Sequence, residues 1–123
     1  MAKKFYFDTY ALIEVGRSNP KYEPHKEGVI ILVNKLNLME LSYFLFKEKR
    51  IDEIKGIFDN YIKYNVDYDE GLLIDAAEMK LKFLKERISF IDCIGYLLAK
   101  KHNAKFLTGD EKFRNKDNVE FVK

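Results

Sequence analysis

Asp8, Glu40, Asp92 and Asp110 are the residues whose type and spacing could do chemistry together. Asp8 directly follows the aromatic run Phe5-Tyr6-Phe7. Asp92 opens a segment rich in Leu and Ala, and Asp110 closes the run Phe106-Leu107-Thr108-Gly109. Each of these three also has a plain structural role. Asp8 would cap the helix that follows, Asp92 lies three residues after Ser89 as in a capping box, and Asp110 suits a turn. Glu40 has no such role. Its same-face helical neighbours are Leu36, Asn37, Tyr43 and Phe44, with Met39 and Leu41 beside it. A helix apolar nearly all round would leave Glu40 few routes to water. An unpaired buried carboxylate costs several kcal/mol and tends to take up a proton. One retained in such a place therefore calls for a partner, either a cationic side chain or a metal ion.

Three or four carboxylates in one pocket cannot all stay ionised without a compensating cation. Oxygen-only clusters select Mg²⁺ or Mn²⁺ over softer metals. One or two such ions can lower the pKa of a water and stabilise the attacking and leaving oxygens of a phosphodiester. The expectation from the residues alone is an acidic metal site suited to phosphoryl chemistry.

The elements that would position these groups alternate between strand and helix. Lys4–Phe7 and Val29–Val33 are continuous apolar runs without polar alternation, as expected of strands covered on both faces. Asn65–Tyr68, the run before Asp110, and Val119–Val122 read as further short strands. Helices are predicted after Asp8 as far as Gly16, over 34–49, along the stripe Ile51, Ile54, Ile57, Phe58, Tyr61 and Ile62, after Asp69, and after Ser89. Arg17 to Lys26, with both prolines, is predicted to be an exposed loop. Alternating strands and helices imply an α/β fold with three layers and a central parallel sheet of about five strands. In such a sheet, strand ends and helix starts converge on one edge, which is where its ligands bind. The expected organisation is one domain over residues 1–123.

Composition sets bounds on the rest. Nearly half the chain is apolar (47 %) and a third is charged (34 %), enough for a core and an ordinary solvated surface. A net charge of +2 makes no demand for a polyanionic partner. Cys93 is the single cysteine, which rules out an internal disulfide and a cysteine-rich zinc site. No apolar run reaches membrane-spanning length, and Lys3-Lys4 precede no apolar leader, so the expected location is cytoplasmic. His25 and His102 show no paired metal-ligand spacing, and no glycine-rich phosphate cradle is present.

The residues also resemble a known family. Phe5-Tyr6-Phe7-Asp8-Thr9 resembles the opening strand and first aspartate of the PIN domain. Asn37-Leu38-Met39-Glu40-Leu41 is similar to its helical glutamate motif. Phe90-Ile91-Asp92 with Leu97, Leu98, Ala99 and His102-Asn103-Ala104 resembles its third motif. Leu107-Thr108-Gly109-Asp110-Glu111-Lys112-Phe113 resembles its fourth. The nearest subgroup looks like the VapC-type toxins of toxin–antitoxin pairs. The resemblance implies a Mg²⁺- or Mn²⁺-dependent endoribonuclease. Asp8, Glu40, Asp92 and Asp110 would be catalytic and hold the metal, with Thr108 supporting them. It also implies an RNA substrate, a homodimer and a small cognate antitoxin. Two residues depart from the pattern: Tyr10, where Asn or Ser is frequent, and Gly95, where Ala is usual.

Two other readings compete. A receiver-like phosphoacceptor domain also carries aspartates at strand ends, but it would need an acidic pair after the first strand and a lysine after the last. A PIN-like module that binds RNA or protein without cutting would not need all four carboxylates. Lys47, Lys49, Arg50, Lys55, Lys100, Lys101, Arg114 and Lys116 could line an RNA path, although each taken singly reads as a solvated cation.

Overall fold

Strands that are apolar on both faces need cover on both sides, and here they have it. The computed structural model describes residues 2–123. Strands β1 (Lys3–Phe7), β2 (Val29–Leu32), β3 (Lys105–Thr108) and β4 (Val119–Phe121) form one parallel sheet in the order β2-β1-β3-β4. Phe5 and Phe7 enter one core, with Leu107 of β3, under helices α1 (Thr9–Gly16), α2 (Lys35–Lys47) and α3 (Ile54–Ile62). Tyr6 and Phe106 enter the other core, under α4 (Glu70–Lys82) and α5 (Phe90–Lys101). The result is the expected α/β/α sandwich with a parallel sheet.

The sheet has four strands rather than about five. The run Asn65–Tyr68 pairs with Val33 through a single parallel bridge at Asn65. Asparagine side chains then replace the ladder. Asn34 Nδ2 donates to the Val66 carbonyl at 2.8 Å, and Asn65 Oδ1 accepts from the Lys35 amide at 2.8 Å. Local amide side chains compete with strand pairing in this way.

The proline-containing segment is not an exposed loop. Pro20–His25 is a 3₁₀ turn that straps the edge strand β4. Buried Tyr22 donates to the Val122 carbonyl at 2.6 Å, and His25 Nε2 meets Glu120 Oε2 at 3.0 Å. The strap covers backbone and side chains of an otherwise open edge.

α5 runs back from the carboxyl edge of the sheet to the start of β3, so its first turn lies at that edge. Its packing explains Gly95. A Cβ there would stand 2.8 Å from the ring of Tyr6, which is fully buried and stacked on Phe106. Gly95 thus lets the helix lie down on a large strand side chain. Alanine is the better helix former by about 1 kcal/mol, yet Gly95→Ala is expected to destabilise the fold by about 1–3 kcal/mol through overpacking. Urea denaturation measures this, and a substitution that raised the midpoint would show that the Tyr6 ring has room to move.

Candidate active site

The carboxyl edge collects all four acidic candidates, each held by a local hydrogen bond. Asp8 ends β1 and caps α1, its Oδ1 accepting from the Ala11 amide at 2.8 Å. Asp92 forms a reciprocal capping box, in which its amide donates to Ser89 Oγ at 3.0 Å and its Oδ2 accepts from the Ser89 amide at 3.2 Å. Asp110 follows β3 and caps the 3₁₀ turn Glu111–Phe113 through the Lys112 amide at 3.0 Å. Glu40 Oε1 accepts from the Thr9 hydroxyl at 2.6 Å. Glu40 and Asp92 each keep one carboxylate oxygen without a hydrogen bond from the described residues.

Glu40 is half-buried rather than enclosed. α2 is not covered all round, since Met39, Tyr43 and Phe46 face outward, Tyr43 with 66 % of its surface open. Glu40 lies at the border between that face and the core. Asp8 is the enclosed carboxylate instead, 3 % exposed. Burial pushes its pKa from the usual 3.8 up to about 8, opposed by hydrogen bonding to Thr108 and the Ala11 amide and reinforced by Asp92 and Asp110. Burial likewise raises Asp92, against its Ser89 contacts, with Asp110 adding and Lys112 subtracting. Burial raises Glu40, against the Thr9 hydroxyl, with Asp92 adding. These mutual influences place the four groups within electrostatic reach of one another. Lys112 is the one cation among the described residues that pairs with any of them, 3.7 Å from Asp110 Oδ2.

Several supporting residues were not singled out by type and spacing. Tyr6 donates to Asn37 Oδ1, Asn37 Nδ2 donates to Thr9 Oγ1 at 3.1 Å, and Thr9 donates to Glu40. This relay runs from the core to the carboxylate. Burial raises the Tyr6 pKa, and Asp8, Glu40 and Asp92 add to the rise, so its neutral hydroxyl sits beneath three of the four acids. Asn37 lies one helical turn before Glu40 on a face otherwise apolar, and that lone amide was the available signal. Thr108 is fully buried; its hydroxyl accepts from the Asp110 amide at 3.0 Å and helps hold Asp8 down. It therefore joins two of the acids, as expected.

Tyr10 forms a wall of the site. Its ring packs over Gly109, where a Cβ would collide with that ring and with the Val122 carbonyl. Of the eight basic residues that could line an RNA path, six are tied to acids: Arg50 to Glu53, Lys55 to Asp59, Lys100 to Asp117, Lys101 to Asp69, Arg114 to Glu111 and Lys116 to Glu86. Lys47 and Lys49 are in no such pair. A cavity of about 530 Å³ lies away from the acids, lined by residues that include Met79, Phe83, Tyr96 and Lys100. The Tyr96 hydroxyl and Lys100 there are bound to Asp117, so the cavity contributes nothing to the acidic edge.

No three His, Cys, Asp or Glu side chains among the described residues are gathered tightly enough to cage an ion as they stand. Like charges with no cation between them have no reason to converge. The donor chemistry nevertheless fits a hard divalent ion. All four donors are carboxylates, two retain unengaged oxygens, and the enclosed one lacks a cationic partner.

A family profile described as PIN domain matches residues 5–119. The chain belongs to the PIN domain family. No curated protein matches its sequence significantly. Solved structures share the fold of this PIN domain. PAE2754 from Pyrobaculum aerophilum superposes with a TM-score of 0.70 at 17 % identity, covering 99 % of this chain and 92 % of the other. A toxin–antitoxin complex from Klebsiella pneumoniae gives 0.73 at 14 % identity, covering 94 % of each chain. VapBC2 from Rickettsia felis, bound to a DNA fragment from its promoter, gives 0.73 at 17 % identity, covering 97 % of each.

The pH response of the metal-free chain follows from Asp8. Its carboxyl ionises near 3.8 when unfolded and near 8 when folded, so unfolding releases a proton between those values. This contribution to stability is intact below pH 4 and is lost as pH rises through about 8. Asp8→Asn keeps a good cap and removes the titration. In EDTA it is expected to melt above the unsubstituted chain at pH 8, by roughly 4 °C for each kcal/mol gained. The two melting curves should converge toward pH 4; a difference independent of pH would refute the assignment.

Proposed function

We propose that this PIN domain is a Mg²⁺- or Mn²⁺-dependent endoribonuclease, the toxin of a type II toxin–antitoxin pair of the VapC type. The observation that carries the reading is Asp8: an enclosed carboxyl group, pushed up to about 8, beside Asp92 and Asp110, with no cation paired to it. Clusters of this kind, held at a cost in stability, are characteristic of functional sites. Family membership supports nuclease chemistry and leaves the receiver-like alternative without support.

Asp8, Glu40, Asp92 and Asp110 would hold the ion, directly or through water. Bound there, the ion would acidify a water and offset negative charge on the phosphodiester in the transition state. The chain's own residues have definable tasks. Thr9, positioned by Asn37 and Tyr6, fixes the direction of Glu40. Thr108 links Asp8 to the Asp110 turn, so the two strand-end acids move together. Ser89 locks the Asp92 rotamer and leaves one oxygen pointing away from the cap. Asp8 must give up its proton to serve as a ligand, so metal affinity rises with pH.

RNA is the substrate proposed by resemblance. Contacts to phosphate carry no base identity, and the acidic edge by itself sets no cleavage sequence. Two of the similar structures come from toxin–antitoxin systems, which supports a small antitoxin as partner. A homodimer in the cytoplasm completes the proposal. Among the described residues no helix is long and apolar enough to cross a membrane, and Cys93 is buried and free.

The deciding experiment is cleavage of single-stranded RNA with Mg²⁺, with Mn²⁺ and with EDTA. Cleavage is expected with either ion and not with EDTA. Asp8→Asn and Asp92→Asn are each expected to lower it on the order of 10²-fold or more, with the fold intact by circular dichroism. An Asp92→Asn chain as active as its parent would remove Asp92 from the site. RNA binding without cleavage in any metal would favour the non-cutting module.

A further inference from the structure

Phe90 is exposed where an aromatic serves no packing purpose. It is the first residue of α5, two before Asp92, and 58 % of its surface is open. Ser89 does the capping, so the helix start does not need the ring. Lys80 lies over the ring, its Nζ 5.5 Å from the centroid. That ammonium is fixed by donating to the Ile88 carbonyl at 2.7 Å. Lys80 forms no ion pair with a carboxylate among the described residues, nor do Lys85 and Arg87, both exposed in the connection leading to α5. By contrast Lys100, Lys101 and Lys116, on or near the same layer, are each paired with an acid.

One flat apolar face, a fixed positive charge and two further unpaired cations thus stand next to a proposed phosphodiester-cleaving edge. An unpaired nucleotide offers the matching features: a π face that stacks on aromatics and a phosphate that seeks cations. A duplex hides its base faces. Exposed Leu81 and Leu84 nearby are aliphatic and could serve a protein contact, but the pinned ammonium behind the ring favours nucleic acid.

We infer that Phe90 is a base-stacking platform and Lys80 the phosphate contact beside it, so that single-stranded RNA is positioned at the start of α5 through an unpaired base. The inference rests on the ribonuclease reading and names the residues that select its substrate form. Phe90 is a positioning residue, not a catalytic one.

The test is binding of a single-stranded RNA carrying 2-aminopurine to the chain silenced by Asp8→Asn, in Mg²⁺. With Phe90 or Phe90→Tyr the probe is expected to bind and its fluorescence to be quenched by stacking. Phe90→Leu is expected to lose the quenching and to bind roughly 5- to 100-fold more weakly. Lys80→Gln should reduce the salt dependence of binding by about one phosphate contact. Equal binding and quenching by Phe90→Leu overturns the inference while leaving the ribonuclease reading in place. So does a binding loss that coincides with a change of oligomeric state in sedimentation, which assigns the ring to a protein contact. If neither the unsubstituted chain nor its Asp8→Asn form binds single-stranded RNA, the ribonuclease reading falls and this inference falls with it.

Discussion

Negative charge crowded at the carboxyl edge of the sheet is the constraint that the surrounding structure must meet. Four carboxylates lie within electrostatic reach of one another, one of them enclosed, and Lys112 is the one described cation that pairs with any of them. Three pKa values rise in consequence, burial being the leading cause each time. A structure selected for stability alone would neutralise such a cluster with arginines or apolar residues. Here the basic side chains pair instead with acids on the outer surface, as Lys55 does with Asp59 and Arg114 with Glu111.

The core is arranged to hold that edge still. Gly95 admits the Tyr6 ring, and the ring's hydroxyl then reaches Asn37. Asn37 fixes Thr9, and Thr9 fixes Glu40. One absent methyl group in α5 therefore bears on a carboxylate carried by α2, on the far side of β1. The hydroxyl at the head of this relay stays neutral because burial and three nearby acids oppose its ionisation, so it remains a donor across the working pH range. The Pro20–His25 strap performs a similar task for β4, whose end backs Gly109 and the Asp110 turn.

Much of this was legible in the sequence, and the failures have physical causes. Continuous apolar runs marked β1, β2 and β3, and a following aspartate marked two of their ends. The run Asn65–Tyr68 looked like a strand because propensity does not register asparagine side chains that take over the backbone bonds. α2 looked apolar all round because periodicity counts residues but not covering layers, so Met39 and Tyr43 were expected inside and Glu40 was expected to be enclosed. The enclosed acid proved to be Asp8, whose burial depends on α1 and β3 closing over it. Tyr22 lay hidden in a segment that its prolines marked as loop. Pairings of basic residues across the surface depend on tertiary proximity that spacing does not encode.

Capping and ligation first looked like rival roles for Asp8, Asp92 and Asp110, and the geometry makes them compatible. A cap uses one carboxylate oxygen, or one lobe of it, and fixes the side-chain rotamer through a backbone amide that cannot move without unwinding a turn. The remaining oxygen is thereby aimed without further entropy loss. The amide that holds it is a donor at a helix N-terminus, where the dipole favours negative charge. Capping therefore offsets part of the repulsion that crowding creates, at the atoms where it is greatest. Glu40 lies within a helix, not at its start, and has no cap to use, so it needs the Tyr6–Asn37–Thr9 relay that the other three do without.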